Sequence, residues 1–210
     1  MQRQIILASG SERRKDIFEF LGIPFEIVVS DFPEESVRFE DFDDPRDYVS
    51  SIAMGKTLAV SEKFVDALII GADTSVFLEK KVFNKPGNLD EARVMLQTLR
   101  GKKHEVVTAV VVRDTLTGEH DLQTVTSSVE FLPFSDQQLE EYIATGESLG
   151  KAGSYAIQMG AKKFVRSIEG SLSNIVGLPI EETVAMLESF NVPIDIDVKA
   201  LILEHFSFEE

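Results

Sequence analysis

A chain of 210 residues, 43% hydrophobic and 27% charged, is long enough to bury a sizeable core, as one large domain or as two lobes sharing a sheet. Its formal net charge of −15 disfavours non-specific binding to nucleic acid or to an anionic membrane. Any phosphate site must therefore be a local basic cluster, while divalent cations would be attracted. With no cysteine, disulfides, a thiol nucleophile and cysteine-based zinc sites are excluded. The N-terminus lacks a leader-like apolar core, and no run is long enough to span a bilayer, so we expect a soluble cytoplasmic protein.

Taken in order, Gln4–Ala8 reads as a buried strand, broken by Ser9-Gly10-Ser11 before an amphipathic helix from Glu12 to Leu21, with Ser11 as N-cap and Gly22 as stop. Strand, small-residue loop and helix start together form an anion site, because free amides point into the loop. Arg13 and Arg14 in the first turn oppose the helix dipole unless something negative arrives, a local conflict that hints at function. Phe25–Ser30 suggests a second strand. The acidic segment Asp31–Asp47 reads as a solvated loop from which Glu34 or Glu35 can face a ligand site. Asp44-Pro45 starts a helix to about Lys63; Lys56 in its middle sits where lysines are normally solvated, and alone it supports no assignment.

Ala67-Leu68-Ile69-Ile70-Gly71-Ala72-Asp73-Thr74 has the pattern of a strand covered on both faces that delivers Asp73 at its carboxyl end, the usual rim for ligands in α/β sheets. Alone, such an aspartate often only caps a turn; the nearby Lys85-Pro86 and Arg13-Arg14 argue for more. Ser75–Val82 suggests a hairpin turning at Glu79-Lys80, Asn88 caps a helix over Leu89–Leu99, and His104–Val112 with Leu122–Leu132 form an antiparallel pair. Ser135 and Gln138 form a capping box. Then come a glycine-rich stretch with Gln158 expected buried, a strand over Lys162–Ile168, a turn over Glu169–Asn174, a helix from Ile180 and a terminal strand or helix.

Leu7-Ala8-Ser9-x-Ser11-x-Arg13-Arg14, Gly71-Ala72-Asp73-Thr74, Lys85-Pro86, His104-x-Val106-x-Thr108, Tyr155-Ala156-Ile157-Gln158 and Asn174-Ile175-Val176-Gly177-Leu178-Pro179 together resemble, nearly end to end, the Maf family of nucleoside triphosphate pyrophosphatases. The resemblance implies an α/β fold: an elongated mixed sheet flanked by helices, two lobes around a deep nucleotide-binding cleft, one domain over residues 1–210, usually dimeric. It also implies metal-dependent cleavage of a nucleoside triphosphate to the monophosphate and pyrophosphate. Arg13, Thr74 and Gln158 match the branch similar to dTTP/UTP pyrophosphatases; a sister branch acts on 7-methyl-GTP, and a nucleotide-sensing role linked to cell division is the competing class. Met159 stands where the family usually has glycine.

The chemistry agrees with this likeness. A triphosphate carries about four negative charges, so its site must combine cations with a metal-binding carboxylate set. The candidate catalytic residues are Asp73, Lys85 and Glu35, and the substrate-binding ones Ser9, Arg13, Arg14, Lys56, Thr74 and Gln158. Mg²⁺ or Mn²⁺ would sit on Asp73 and Glu35, since Mg²⁺ takes one or two carboxylates plus waters and phosphate oxygens. The three histidines are too scattered for a histidine metal site. Water is the expected nucleophile.

Overall fold

The computed structural model describes residues 3–208 and has a mixed α/β fold, a seven-stranded mixed sheet flanked by helices. The strands are β1 (Gln4–Leu7), β2 (Glu26–Ile27), β3 (Ala67–Leu78), β4 (Lys81–Phe83), β5 (Lys103–Asp114), β6 (His120–Phe131) and β7 (Val165–Glu169). The helices are α1 (Glu12–Glu19), α2 (Pro45–Ser61), α3 (Leu89–Leu99), α4 (Asp136–Ala144), α5 (Leu172–Val176), α6 (Ile180–Ser189) and α7 (Val198–His205). Strand order is β2-β1-β3-β5-β6-β7, with β4 added to β3. β1 runs parallel to β2 and β3, and every other pairing is antiparallel.

The apolar run in β3 has no polar alternation because both faces are covered. On one side Leu68, Ile70 and Ala72 join the main core with residues of α1, α3 and α6. On the other, Ala67 and Ile69 pack with Val60 of α2, and further along Phe77 packs with Tyr48, Val49 and Ile52. The expected N-caps all form: Ser11, Asn88 and Ser135 each accept a backbone N–H three residues on, and Ser135 with Gln138 completes the capping box.

β3 differs from its expected form in a way that makes the site. It does not end at Asp73 but runs on to Leu78, so the aspartate lies mid-strand. β1 pairs with β3 only as far as Leu7↔Ile70, and β4 takes up the same edge only from Phe83↔Val76, while β5 pairs along the whole opposite edge. Gly71–Ser75 therefore have a strand partner on one side only. What substitutes for a strand end is a gap in the neighbouring strand.

Three smaller expectations also change. The strand expected over Phe25–Ser30 shrinks to Glu26–Ile27, because β1 ends and offers no further partner after Leu7 accepts from Val28 N–H. Gly160–Phe164 coils as a 3₁₀ turn, delaying β7 to Val165. The expected turn over Glu169–Asn174 closes into α5, capped by the Ser171 side chain. The tail resolves as the helix α7.

Gly71 sets the distance between α2 and β3. A Cβ there would overlap Thr57 Oγ1 and lie 3.1 Å from the Ala53 carbonyl. Gly71→Ala should cost about 1–3 kcal/mol in urea unfolding, the usual range for overpacking a tight core, and Thr57→Ala in the same chain should recover part of it.

His104, 2% exposed, sits with its Nε2 3.0 Å from the Tyr155 hydroxyl and edge-on to Phe131; burial pushes its pKa down to about 4 from 6.5. Between these values the unfolded chain holds the extra proton, so stability must fall as pH falls through this window. Lowering pH from about 7.5 to about 5 should therefore cost wild type about 2 kcal/mol more than His104→Gln, read from denaturant midpoints.

Candidate active site

A cavity of about 630 Å³ is lined by this bare stretch of β3, the Ser9–Arg14 loop and helix start, α2 and the segment from Gly150 to Met159. Five basic residues line it against four acids, in a chain where acids outnumber bases 36 to 21. The cavity thus carries a small excess of positive charge in an acidic protein, the sign a phosphate ligand requires.

Because side chains alternate along a strand, Asp73 and Thr74 serve opposite faces of the sheet. Asp73, 7% exposed, accepts a hydrogen bond from Lys56 Nζ at 2.8 Å, and the same ammonium lies 2.8 Å from Glu34 Oε2. Lys56 is therefore buried, not solvated as a mid-helix lysine usually is. The reason lies in the stripe Val49, Ile52, Ala53, Lys56, Val60, whose i+3 and i+4 steps mark the buried face of α2. The lysine takes its place on that stripe, and this signal is present in the spacing.

Three residues with no expected role back Asp73. Ser75 Oγ lies 3.3 Å from Asp73 Oδ2 and 2.9 Å from Asn84 Oδ1, and Asn84 Nδ2 donates to the Tyr48 hydroxyl at 2.9 Å. Glu34 begins the 3₁₀ turn Glu34–Ser36 and takes the contact with Lys56. Glu35, the next residue, lines an adjoining cavity of about 580 Å³ that also reaches Asp73, Asn84 and Lys85. Lys85 is exposed between the two cavities; protein crowding still holds its pKa below the usual lysine value, with Glu34 opposing.

On the other face Thr74 lines the cavity and also bonds within the protein. Its Oγ1 accepts from Arg14 Nη2 at 2.9 Å and lies 2.9 Å from Thr108 Oγ1, whose own hydroxyl reaches the Asn174 carbonyl at 3.0 Å. Arg14 is 8% exposed and also donates from Nε to the Gly177 carbonyl at 2.8 Å and from Nη1 to Ser9 Oγ at 3.4 Å. It thus ties α1, β1's loop, β3 and the end of α5 together. Burial holds its pKa below the ordinary arginine value, with the charges of Asp73 and Glu34 opposing. Arg13, half-buried, makes no hydrogen bond or ion pair among the described residues; burial and then Arg14 lower its pKa.

Gln158 lines the cavity but is exposed, contrary to the burial expected of it. The buried run over residues 153–157 ends just before it, and Gln158 and Met159 lie at the surface ahead of the 3₁₀ turn that opens at Gly160. Of the expected site residues, then, Ser9, Arg13, Arg14, Lys56, Asp73, Thr74, Lys85 and Gln158 line one cavity, and Glu35 the next.

The two arginines should separate in their effects. Arg14→Ala removes a buried brace and should lower stability by on the order of 3 kcal/mol, several charged hydrogen bonds being lost at once. Arg13→Ala should leave the unfolding midpoint almost unchanged while weakening binding of a phosphorylated ligand, as read by calorimetry.

Residues 4–190 match the family model described as Maf-like protein. Proteins named dTTP/UTP pyrophosphatase from strains of Bacillus anthracis and Bacillus cereus are each 42% identical over 194 residues, covering 91% of this chain and 98% of theirs. Among solved structures, the Staphylococcus aureus Ham1 protein aligns over 61% of this chain and 72% of its own, at 14% identity and a TM-score of 0.40, a likeness too slight to bear weight. With the family model spanning nearly the whole chain and relatives aligned along almost their full length, the chain belongs to the Maf-like protein family.

Proposed function

We propose that this protein hydrolyses nucleoside triphosphates, dTTP and UTP preferentially, to the monophosphate and pyrophosphate. One observation carries the reading: an aspartate held by a buried lysine on a bare strand edge, inside a basic cavity of an otherwise acidic chain. The names of the relatives, dTTP/UTP pyrophosphatase, support the substrate.

Among the described residues no three His, Asp or Glu side chains gather as a closed metal site. A divalent cation such as Mg²⁺ or Mn²⁺ nevertheless fits, because Asp73 and Glu34 already bring carboxylate oxygens to 2.8 Å from one cationic atom, and Mg²⁺ needs only one or two protein carboxylates. These two would hold it, with Glu35 on the same turn the alternative second ligand. Such an ion, when bound, supplies Lewis-acid polarisation of phosphate and water.

The chain's own groups do the rest. A water attacks the α-phosphorus and gives its proton to the Asp73 carboxylate; the bond from that phosphorus to the bridging oxygen breaks, and pyrophosphate leaves with the electron pair. Lys85 and Arg13 neutralise the phosphate charge, Lys as a compact ion and Arg as a fork, with Arg14 and Ser9 completing the cradle beside them. Lys56 keeps the acid pair aligned and counters its charge. Gln158 reads the base: its amide accepts from N3–H of thymine or uracil and donates to a ring oxygen, a pattern cytosine does not match.

The architecture we propose with this function is one domain over residues 1–210 whose two lobes share the sheet around the cavity, working as a cytoplasmic homodimer. The single sheet favours the single domain. Among the described residues no helix is long and apolar enough to cross a membrane.

Asp73→Asn should lower turnover of dTTP by at least about a hundredfold with the fold intact, since a placed base alone is worth on the order of 10²–10⁴ in rate. Lys85→Ala should lose at least about tenfold in kcat/KM, given roughly 1.5–3 kcal/mol for a charged hydrogen bond. Pyrophosphate release with and without Mg²⁺ tests both; an Asp73→Asn protein within a few fold of wild type would refute the assignment.

Across nucleotides, dTTP and UTP should exceed CTP and dCTP by about ten- to a hundredfold in kcat/KM, the span one mismatched base edge can supply. Equal rates for dTTP and dCTP would contradict base reading.

A further inference from the structure

Beyond residue 190, where the family match ends, the chain continues into α7, and this segment holds the loop that carries Gln158. Gln158 Nε2 donates to the His205 backbone carbonyl at 3.4 Å, and four residues further along the same loop Lys162 Nζ lies over the Phe208 ring, 5.4 Å from its centroid. The segment is itself anchored. Phe206 is buried in the main core, and the His205 ring stacks on Phe20 of the α1 C-cap at 4.3 Å and 20°.

We propose that the end of α7 is a latch for the base-reading loop, which sets the amide orientation of Gln158 and through it the preference for a pyrimidine with an N3 proton. This rests on the nucleotide reading above. A carbonyl only accepts, so His205 forces the amide nitrogen of Gln158 toward α7 and leaves Oε1 as the acceptor for a base. An exposed glutamine without such a tie would turn its amide freely and present donor or acceptor alike. The latch thus explains how an exposed side chain can discriminate. Phe20 and His205 are positioning residues in this account, with no contact to substrate.

The test uses Phe20→Ala and His205→Ala, which loosen the same stack from its two sides, each made in wild type and in Gln158→Ala. Phe20 is 38% exposed, and the His205 side chain is also partly exposed, so neither truncation opens a core. Both variants should lower the dTTP to dCTP ratio of kcat/KM by about three- to tenfold, the worth of one net hydrogen bond, and should change it no further when Gln158 is already alanine. Amide hydrogen exchange over residues 156–162 should rise at least about tenfold in both, with β3 and β5 unchanged.

Unchanged exchange would overturn the latch itself. A ratio that falls in Phe20→Ala but not in His205→Ala would also overturn it, by tracing the effect to the arginines of α1. Raised exchange with a ratio that even Gln158→Ala leaves unaltered would locate the failure in the base-reading role, and overturn the proposal through that role rather than through the latch.

Discussion

Burying the ammonium of Lys56 at 6% exposure would cost several kcal/mol if it stood alone, and the arrangement of α2 and β3 follows from meeting that constraint. Its two carboxylate partners come from different parts of the chain, Asp73 from mid-β3 and Glu34 from the turn before α2. For Asp73 to reach the lysine, α2 must lie close against β3, and Gly71 allows this by leaving no side chain between the strand and Thr57. For the carboxylate to remain available to a ligand, the adjacent strand must be missing. β1 stops at Leu7 and β4 begins at Lys81, and the interval between their pairings on β3 is where Asp73 sits. A charge that needs partners, a glycine and a gap in a sheet edge are thus parts of one arrangement.

The opposite face solves a different problem. Arg14 is as buried as Lys56, yet its hydrogen bonds go to neutral oxygens, the Gly177 carbonyl and the hydroxyls of Thr74 and Ser9. A guanidinium has five N–H groups in a fixed fork, so it can brace three segments and still present positive potential to the cavity. Arg13, one residue earlier, has no such ties among the described residues and is the freer of the two to meet an incoming anion. The local conflict of two arginines with the α1 dipole is thus met by internal bonds at Arg14 only, and the proposed phosphate ligand would meet it at Arg13.

Much of this is legible in the residue pattern. The strand, small-residue loop and capped helix at the N-terminus, the β5–β6 pair, the hairpin at Glu79-Lys80 and the capping box at Ser135 all depend on local signals, and local signals survive folding. What is not legible depends on partners distant in sequence. The pattern makes β3 too short because Gly71-Ala72-Asp73 looks like an ending; only the absence of β1 beside it makes a mid-strand aspartate tolerable. Lys56 is easily undervalued because a lysine is normally solvated, although its place on the α2 stripe is in view. Between Glu34 and Glu35 the choice depends on how a single 3₁₀ turn is oriented, which no spacing encodes. Gln158 reads as buried because its neighbours are small, whereas the buried run ends just before it.

In the proposed reaction a water attacks the α-phosphorus of a nucleoside triphosphate held in this cavity, and the bond from that phosphorus to the bridging oxygen breaks, releasing pyrophosphate. Hydrolysis of dTTP in water enriched in heavy oxygen, followed by mass spectrometry of both products, identifies the phosphorus attacked. The label should appear in dTMP, and the pyrophosphate should carry none. Label in pyrophosphate, or release of orthophosphate in its place, would contradict this reaction.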